Sequence, residues 1–290
     1  MAAGLALYAA SLVLELPGAY LRLILASLLA AIVLGIAGAP AGTVAGLIVL
    51  AVALGPIVWS LIAFAWPGSG LIWRWRVGGR VPSARERDAY EGALEDLRAA
   101  GEDVRAPRSW FVYDEAEPTA AVRGRALMVS RGLLAAPLEL EAVLAHELGH
   151  INSLDGRLTE ALGRLVLWGD PVGPGMGYAD YIDLTDGRGG LVLFGAGRLL
   201  RAGLRLLLYV MGGGVSLLLL RPAWASYWRG REYAADRYAA GLGAGEDLAR
   251  FLEGHALFFD LPVPFLWLSD HAHPPVELRL DRLEATQEAA

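Results

Sequence analysis

The chain has 290 residues, 55% of them hydrophobic, with a mean hydropathy of +0.43. That is too apolar for an ordinary soluble domain. A formal net charge of −6 argues against a nucleic-acid surface, and the absence of cysteine excludes disulfides, thiol catalysis and cysteine-type zinc sites.

Residues 2–14 are apolar but stop short of a full span before Glu15 and Pro17. No basic stretch precedes them, so a secretory signal fits poorly, and an interfacial helix or a short extra span both stay open. The run from about Ala19 to Ala39 is long enough to cross a bilayer; Arg22 stands near its end, where it can snorkel. A second uncharged run covers about Thr43 to Trp66, and Ala39-Pro40-Ala41-Gly42 makes a tight turn between them. Trp59, Trp66, Trp73 and Trp75 form an aromatic belt, and Arg74, Arg76, Arg80, Arg85 and Arg87 follow. By the positive-inside rule that end is cytoplasmic, which places the catalytic part that follows there too.

Ser83-Ala84-Arg85-Glu86 has the form of a capping box opening an amphipathic helix to about Ala100. Trp110–Tyr113 and Ala126–Ser130 read as strands, the second after a turn at Arg123-Gly124. Either they form an edge that pairs with an extended substrate, or they are an ordinary small sheet covering a helix. Pro137 to Ala145 is a strong helix former with acid in its first turn, and it runs into His146-Glu147-Leu148-Gly149-His150.

That pentad carries chemistry. Residues four apart share a helix face, so both imidazoles reach one zinc ion while Glu147 sits beside the open coordination position as a general base. The bland alternative is two surface histidines flanking a solvated glutamate. Glu139, Glu141 and Asp155 flank the pentad too closely for it to lie inside a spanning helix. Catalytic zinc takes three protein ligands. Glu232 and Asp236 share a face of a second helical stretch from Ser226 to Asp236. Glu232 reads as the third ligand and Asp236 as the acceptor for a ligand histidine's ring N–H. The competing reading is an exposed face whose acids pair with Arg229 or Arg231.

Two ligands on either side of the intervening segment require an even number of membrane crossings between them. Leu158–Trp168 and Leu206–Leu220 are short and charge-flanked around a Gly169–Gly190 loop; either a short re-entrant or spanning hairpin or two helices lying on the bilayer surface satisfies the count, and the charges favour the shallow placement. Glu246 to Phe259 reads as helix, with His255 packed rather than ligating. Pro274-Pro275 opens the last helix.

The combination H-E-L-G-H-I, R-E-Y-x-A-D, then His273-Pro274-Pro275 with Arg279 six residues after the histidine, resembles the HtpX-type membrane zinc endopeptidases, relatives of the CAAX prenyl proteases. The match runs over roughly residues 85–285. The resemblance implies zinc ligands at His146, His150 and Glu232 and a general base at Glu147. It also implies that His273 lies near the metal, stabilising the oxyanion or blocking the site at rest, with Arg279 anchoring that segment. The chain departs from the family at Pro118-Thr119-Ala120-Ala121, where an Asn-Ala-Phe-like edge strand is usual.

The expected architecture is mainly α with a small β-sheet. It comprises a membrane region (1–66) holding a transmembrane hairpin, the first half of a zincin-like catalytic domain (67–157), inserted membrane-associated helices (158–222) and the second half (223–290). The expected function is a multi-pass cell-membrane endopeptidase with one Zn2+ per chain, cleaving membrane or membrane-proximal polypeptides at the cytoplasmic face. An inactive scaffold with a structural zinc site and a prenyl-peptide protease are the alternatives.

Overall fold

The computed structural model describes residues 2–38, 42–66, 74–75, 78–101, 104–165, 215–255 and 274–288. Two compact units emerge. One comprises Met1–Gly4, Trp66–Glu160 and Pro222–Ala290; the other comprises Leu5–Ala65 and Ala161–Arg221. The described residues are mainly helical, with one three-stranded sheet.

The apolar unit holds α1 (Ala2–Leu14), α2 (Leu16–Ala37) and α3 (Thr43–Ala65). α1 runs on into α2: the Glu15 amide donates back to the Ser11 carbonyl, and the Ala19 amide donates to the Glu15 carbonyl. Pro17, which has no amide to donate, stands at this junction in the first turn of α2. Ala2–Ala37 and Thr43–Ala65 are each long and apolar enough to cross a membrane. α2 and α3 pack together, and most of their large side chains (Leu28, Leu29, Ile32, Leu47, Ile48) are exposed.

Arg22 does not snorkel. It and Glu15 are both fully buried, with Arg22 Nη1 3.6 Å from Glu15 Oε2, and Arg22 Nε donates to the Ala53 carbonyl of α3 at 3.2 Å. A charge in an apolar interior is retained where an opposite charge and hydrogen bonds replace its water. The seven-residue spacing sets Glu15 and Arg22 two turns apart on one face, which the sequence alone left unpaired. Polar contacts continue along the unit. Tyr8 Oη lies 2.9 Å from Ser60 Oγ, and that hydroxyl donates to the Ala161 carbonyl at 2.7 Å.

The other unit begins with α4 (Ala84–Ala100). Ser83 caps it in the reciprocal arrangement the sequence predicts: its hydroxyl accepts from the Glu86 amide, and Glu86 accepts from the Ser83 amide. Arg80 grips the same carboxylate at 2.6 and 2.7 Å, and this guanidinium holds the Glu86 pKa down at about 2. Tyr90, Ala93, Leu94 and Leu97 form the buried stripe at helical spacing. Strands β1 (Ser109–Tyr113), β2 (Ala120–Arg123) and β3 (Ala126–Ser130) pair in the order β1-β3-β2, with β1 parallel and β2 antiparallel to the centre. All five residues of β3 are buried, as its central place requires. β2 falls on the stretch where the sequence departs from the family pattern.

After a short turn, α5 (Arg131–Leu134), come α6 (Pro137–Ile151), α7 (Asp155–Leu165), α8 (Val215–Gly241), α9 (Gly245–Gly254) and α10 (Val276–Glu288). α9 is described over Gly245–Gly254, and residues 256–259 of the helix expected to reach Phe259 lie outside the described residues. His255 at its C-terminus stacks on Phe251 at 4.5 Å and meets the Phe251 carbonyl at 2.9 Å, a packed histidine. One core joins Leu97, Val112, Leu127, Leu133, Leu144, Leu148, Ala239, Leu248, Leu252 and Leu283 from six helices and the sheet. Each fully buried leucine contributes about 1.5–3 kcal/mol. The loop expected over Gly169–Gly190 and the start of the Leu206–Leu220 segment lie outside the described residues.

Removing one member of the buried pair strands the other. Arg22→Leu should destabilise the detergent-solubilised chain by about 3–5 kcal/mol, and Glu15→Leu with Arg22→Leu should recover most of that. Thermal melts of parent, single and double variants check it; a single variant as stable as the parent would show that the pair carries no weight.

Candidate metal centre

The pentad sits on α6, and the structure buries most of it. His146 is 6% exposed, Glu147 8%, and Leu148 is wholly inside the core. These are not surface histidines beside a solvated glutamate. The helix forms because leucine, alanine and glutamate dominate it, with Pro137 in its first turn and Glu139 facing its positive end.

Gly149, a variable position of the pentad, decides what the helix can meet. A Cβ there would lie 2.9 Å from Ala235 Cα and 3.2 Å from Ala235 Cβ on α8. The two backbones are closer than any side chain at 149 permits. That approach puts Glu232, one turn before Asp236, over the face carrying both imidazoles. His146 Nε2 lies 3.5 Å from Glu232 Oε2, and His150 Nε2 lies 3.3 Å from Glu232 Oε1. The two rings stand nearly perpendicular, centroids 5.0 Å apart. One donor atom from each of the three residues fits within a 4.8 Å span. Tetrahedral ligands at metal bond lengths of about 2.0–2.1 Å are about 3.3 Å from one another, so the trio has the right dimensions for one ion.

The outer ring nitrogens point to carboxylates. His146 Nδ1 is 2.9 Å from Asp236 Oδ1, and His150 Nδ1 is 3.2 Å from Asp155 Oδ2. A carboxylate only accepts, so each contact holds the proton on Nδ1 and leaves the Nε2 lone pair free for a cation. Each aspartate is in turn held by an arginine. Arg279 Nε and Nη2 donate to the two oxygens of Asp236 at 2.9 and 2.6 Å, and Arg231 Nε donates to both oxygens of Asp155 at 2.8 and 2.9 Å. Arg231 therefore pairs with Asp155, not with the acids on its own helix. Asp236 and Arg279 pair with each other beside the His146–His150–Glu232 cluster. His273 lies outside the described residues, and with it the segment that Arg279 was expected to anchor.

Asp155 was missed as a contributor. The sequence displayed it five residues beyond His150, after α6 ends, where helical periodicity no longer says which way a side chain points. A conceivable signal was the pairing of one aspartate with each histidine; only the fold shows it.

Formal charges give the electrostatics. Glu147, Asp155, Glu232 and Asp236 are four buried carboxylates, and Arg231 and Arg279 supply two positive charges. Two negative charges remain, which one divalent cation neutralises. Burial pulls the His150 pKa down, but the hydrogen bonds to Asp155 and Glu232 outweigh it and push the value up to about 10. Burial likewise opposes protonation of His146, and Asp236 and Glu232 outweigh it in turn. Asp236 is held below the ordinary carboxylate range despite its burial, by His146 and Arg279. Glu147 is in no donor trio; its charge acts on His150, on Arg279 and on Tyr113 at the end of β1.

This centre coincides with a match to the model of peptidase family M48 over residues 110–287, more than half of the chain. The chain belongs to peptidase family M48. Membership implies a metallopeptidase, a hydrolase of polypeptides, and the His146–His150–Glu232 cluster is the group of described residues that could hold the metal. No curated protein matches the chain.

Gly149→Ala should force α6 and α8 apart, lowering stability by about 1–3 kcal/mol and weakening metal uptake. Chelator competition followed by thermal melting reads both. Unchanged metal affinity would mean that the close approach does not set the ligand geometry.

Proposed function

We propose that this M48 peptidase is a membrane-bound zinc endopeptidase that hydrolyses peptide bonds of membrane or membrane-proximal proteins at the cytoplasmic face. One observation carries the reading: two imidazoles with their outer nitrogens tied to carboxylates, and a glutamate bridging their inner nitrogens, beside a buried fourth carboxylate at Glu147. Two imidazoles and a carboxylate are the donor set of a hydrolytic zinc site that keeps one position open. Zinc held there would supply a positive charge that polarises a carbonyl and acidifies water.

The chain's own residues do the rest. His146, His150 and Glu232 would hold the ion. Glu147 would take the proton of the attacking water and return it to the departing amine. A purely structural site has no use for a buried carboxylate at that position, which supports the catalytic reading over a scaffold. His273 would approach the same centre, either steadying the developing oxyanion or covering the open position at rest. The edge place of β2 in the sheet supports pairing of the substrate backbone along it in extended form. The enclosing fold would be zincin-like, with the catalytic unit split by the 158–222 insert.

For the membrane, the support is two apolar helices of sufficient length, an exposed Trp66 and Trp75 at the end of the second, and the arginines that follow. Cleavage at the cytoplasmic side follows from that asymmetry. Because the chain has no cysteine, Arg87→Cys reports the side without background. Labelling of intact cells by a membrane-impermeant thiol reagent should fail, and labelling after lysis should succeed. Reaction in intact cells would reverse the orientation.

Glu147→Gln should bind zinc like the parent and cleave a membrane-protein substrate at least about a hundredfold more slowly. Near-parental cleavage would remove Glu147 as the base, whereas loss of zinc would make it a ligand.

A further inference from the structure

Asp155 lies where three elements meet. It is the first residue of α7, it accepts from His150 of α6, and it takes Arg231 Nε on both oxygens and Tyr227 Oη at 3.2 Å, both from α8. Arg231 precedes Glu232, and Tyr227 is one turn earlier on the same side of α8 as Arg231. A closed circuit results: Glu232 faces the inner nitrogen of His150, and the neighbouring Arg231 reaches round through Asp155 to the outer nitrogen. Asp155 is 2% exposed, so water cannot replace these partners cheaply.

Its backbone is fixed as firmly as its side chain. A Cβ on Gly156 would lie 2.1 Å from the Gly124 carbonyl oxygen, and the Gly124 amide donates to the Gly156 carbonyl at 3.0 Å. The start of α7 is thereby pressed on to the β2–β3 turn. The Asp155 amide also donates to Ser153 Oγ at 3.1 Å. The carboxylate thus meets His150 as a preset partner. The plain alternative is an aspartate that serves only the positive end of α7. That role requires neither Arg231, nor Tyr227, nor contact with an imidazole.

We infer that Asp155, backed by Arg231, is a positioning residue for the metal centre, orienting the His150 ring and keeping its proton on Nδ1 as Asp236 and Arg279 do for His146. The inference rests on the reading of His150 as a metal ligand. Asp155 touches neither metal nor substrate; it acts through the imidazole. Such supports are worth about 10–100-fold in metal affinity.

The test uses the full chain in detergent and Zn2+ as the probe, with affinity read by chelator competition. Serine suits a helix start as well as aspartate does but is too short to reach the ring. Asp155→Ser should bind Zn2+ about 10–100-fold more weakly, with excess Zn2+ recovering cleavage at parental KM. In a His150→Ala background the same change should have no further effect on residual affinity, because the partner it acts through is gone. An affinity within about twofold of the parent, or an additive loss in the His150→Ala background, overturns the inference. Should Asp155→Ser fail to fold, Arg231→Gln reads the same circuit with Asp155 in place. A smaller loss of affinity supports the inference and no loss overturns it. Glu232→Ala separates the two levels. If it keeps its zinc, the metal-centre reading itself is wrong; if it loses zinc while Asp155→Ser does not, only the positioning role falls.

Discussion

α6 and α8 touch backbone to backbone at Gly149 and Ala235, and the metal centre depends on that contact. Helix α6 alone offers two imidazoles on one face, which bind a metal weakly. The third donor must come from another element and arrive within about 3.3 Å of both rings. A glutamate side chain spans only a few ångströms, so its helix has to lie closer than helices with ordinary side chains between them. Glycine at one helix and alanine at the other make this possible. The buried leucines of α4, α6 and α9 then hold the arrangement under a common core.

Closeness creates an electrostatic difficulty. Several carboxylates are drawn out of water into one small volume, where like charges repel and unpaired ones are costly. The fold answers with two arrangements of the same kind, each running from imidazole to aspartate to arginine. Both aspartates have their charges compensated locally. The residual formal charge of the centre, minus two, is equal and opposite to that of a divalent cation, so the protein environment and the donor set agree on what fits there.

The apolar unit solves a related problem with fewer groups. Arg22 gives its charge to Glu15 and one N–H to a backbone carbonyl of the partner helix. Both side chains are buried, so the exposed surface of the helix pair is left apolar. Ser11 and Ser60 donate to the main-chain carbonyls of Leu7 and Ala161, and Tyr8 pairs with the Ser60 hydroxyl, so these buried hydroxyls all have partners.

Much of this was legible in the sequence because it is local. The capping box at Ser83, the strands around Phe111 and Met128, the helix through the pentad and the prolines before α10 all follow from short-range stereochemistry, and all are present. His146, His150, Glu232, Asp236 and Arg279 were named from spacing and from resemblance to a family, and the fold brings the five together. What the sequence could not decide was direction and partner. Arg22 looked like a snorkelling residue because a linear string does not show that Glu15 turns inward with it. Asp155 looked like one more flanking charge because, past the end of α6, the loop and not the helical repeat sets where its carboxylate goes. Arg231 sat beside Glu232 and pairs elsewhere. Local sequence determined which groups exist and which helix face presents them; only tertiary packing determined which distant groups come within bonding distance, since that depends on how closely two backbones approach.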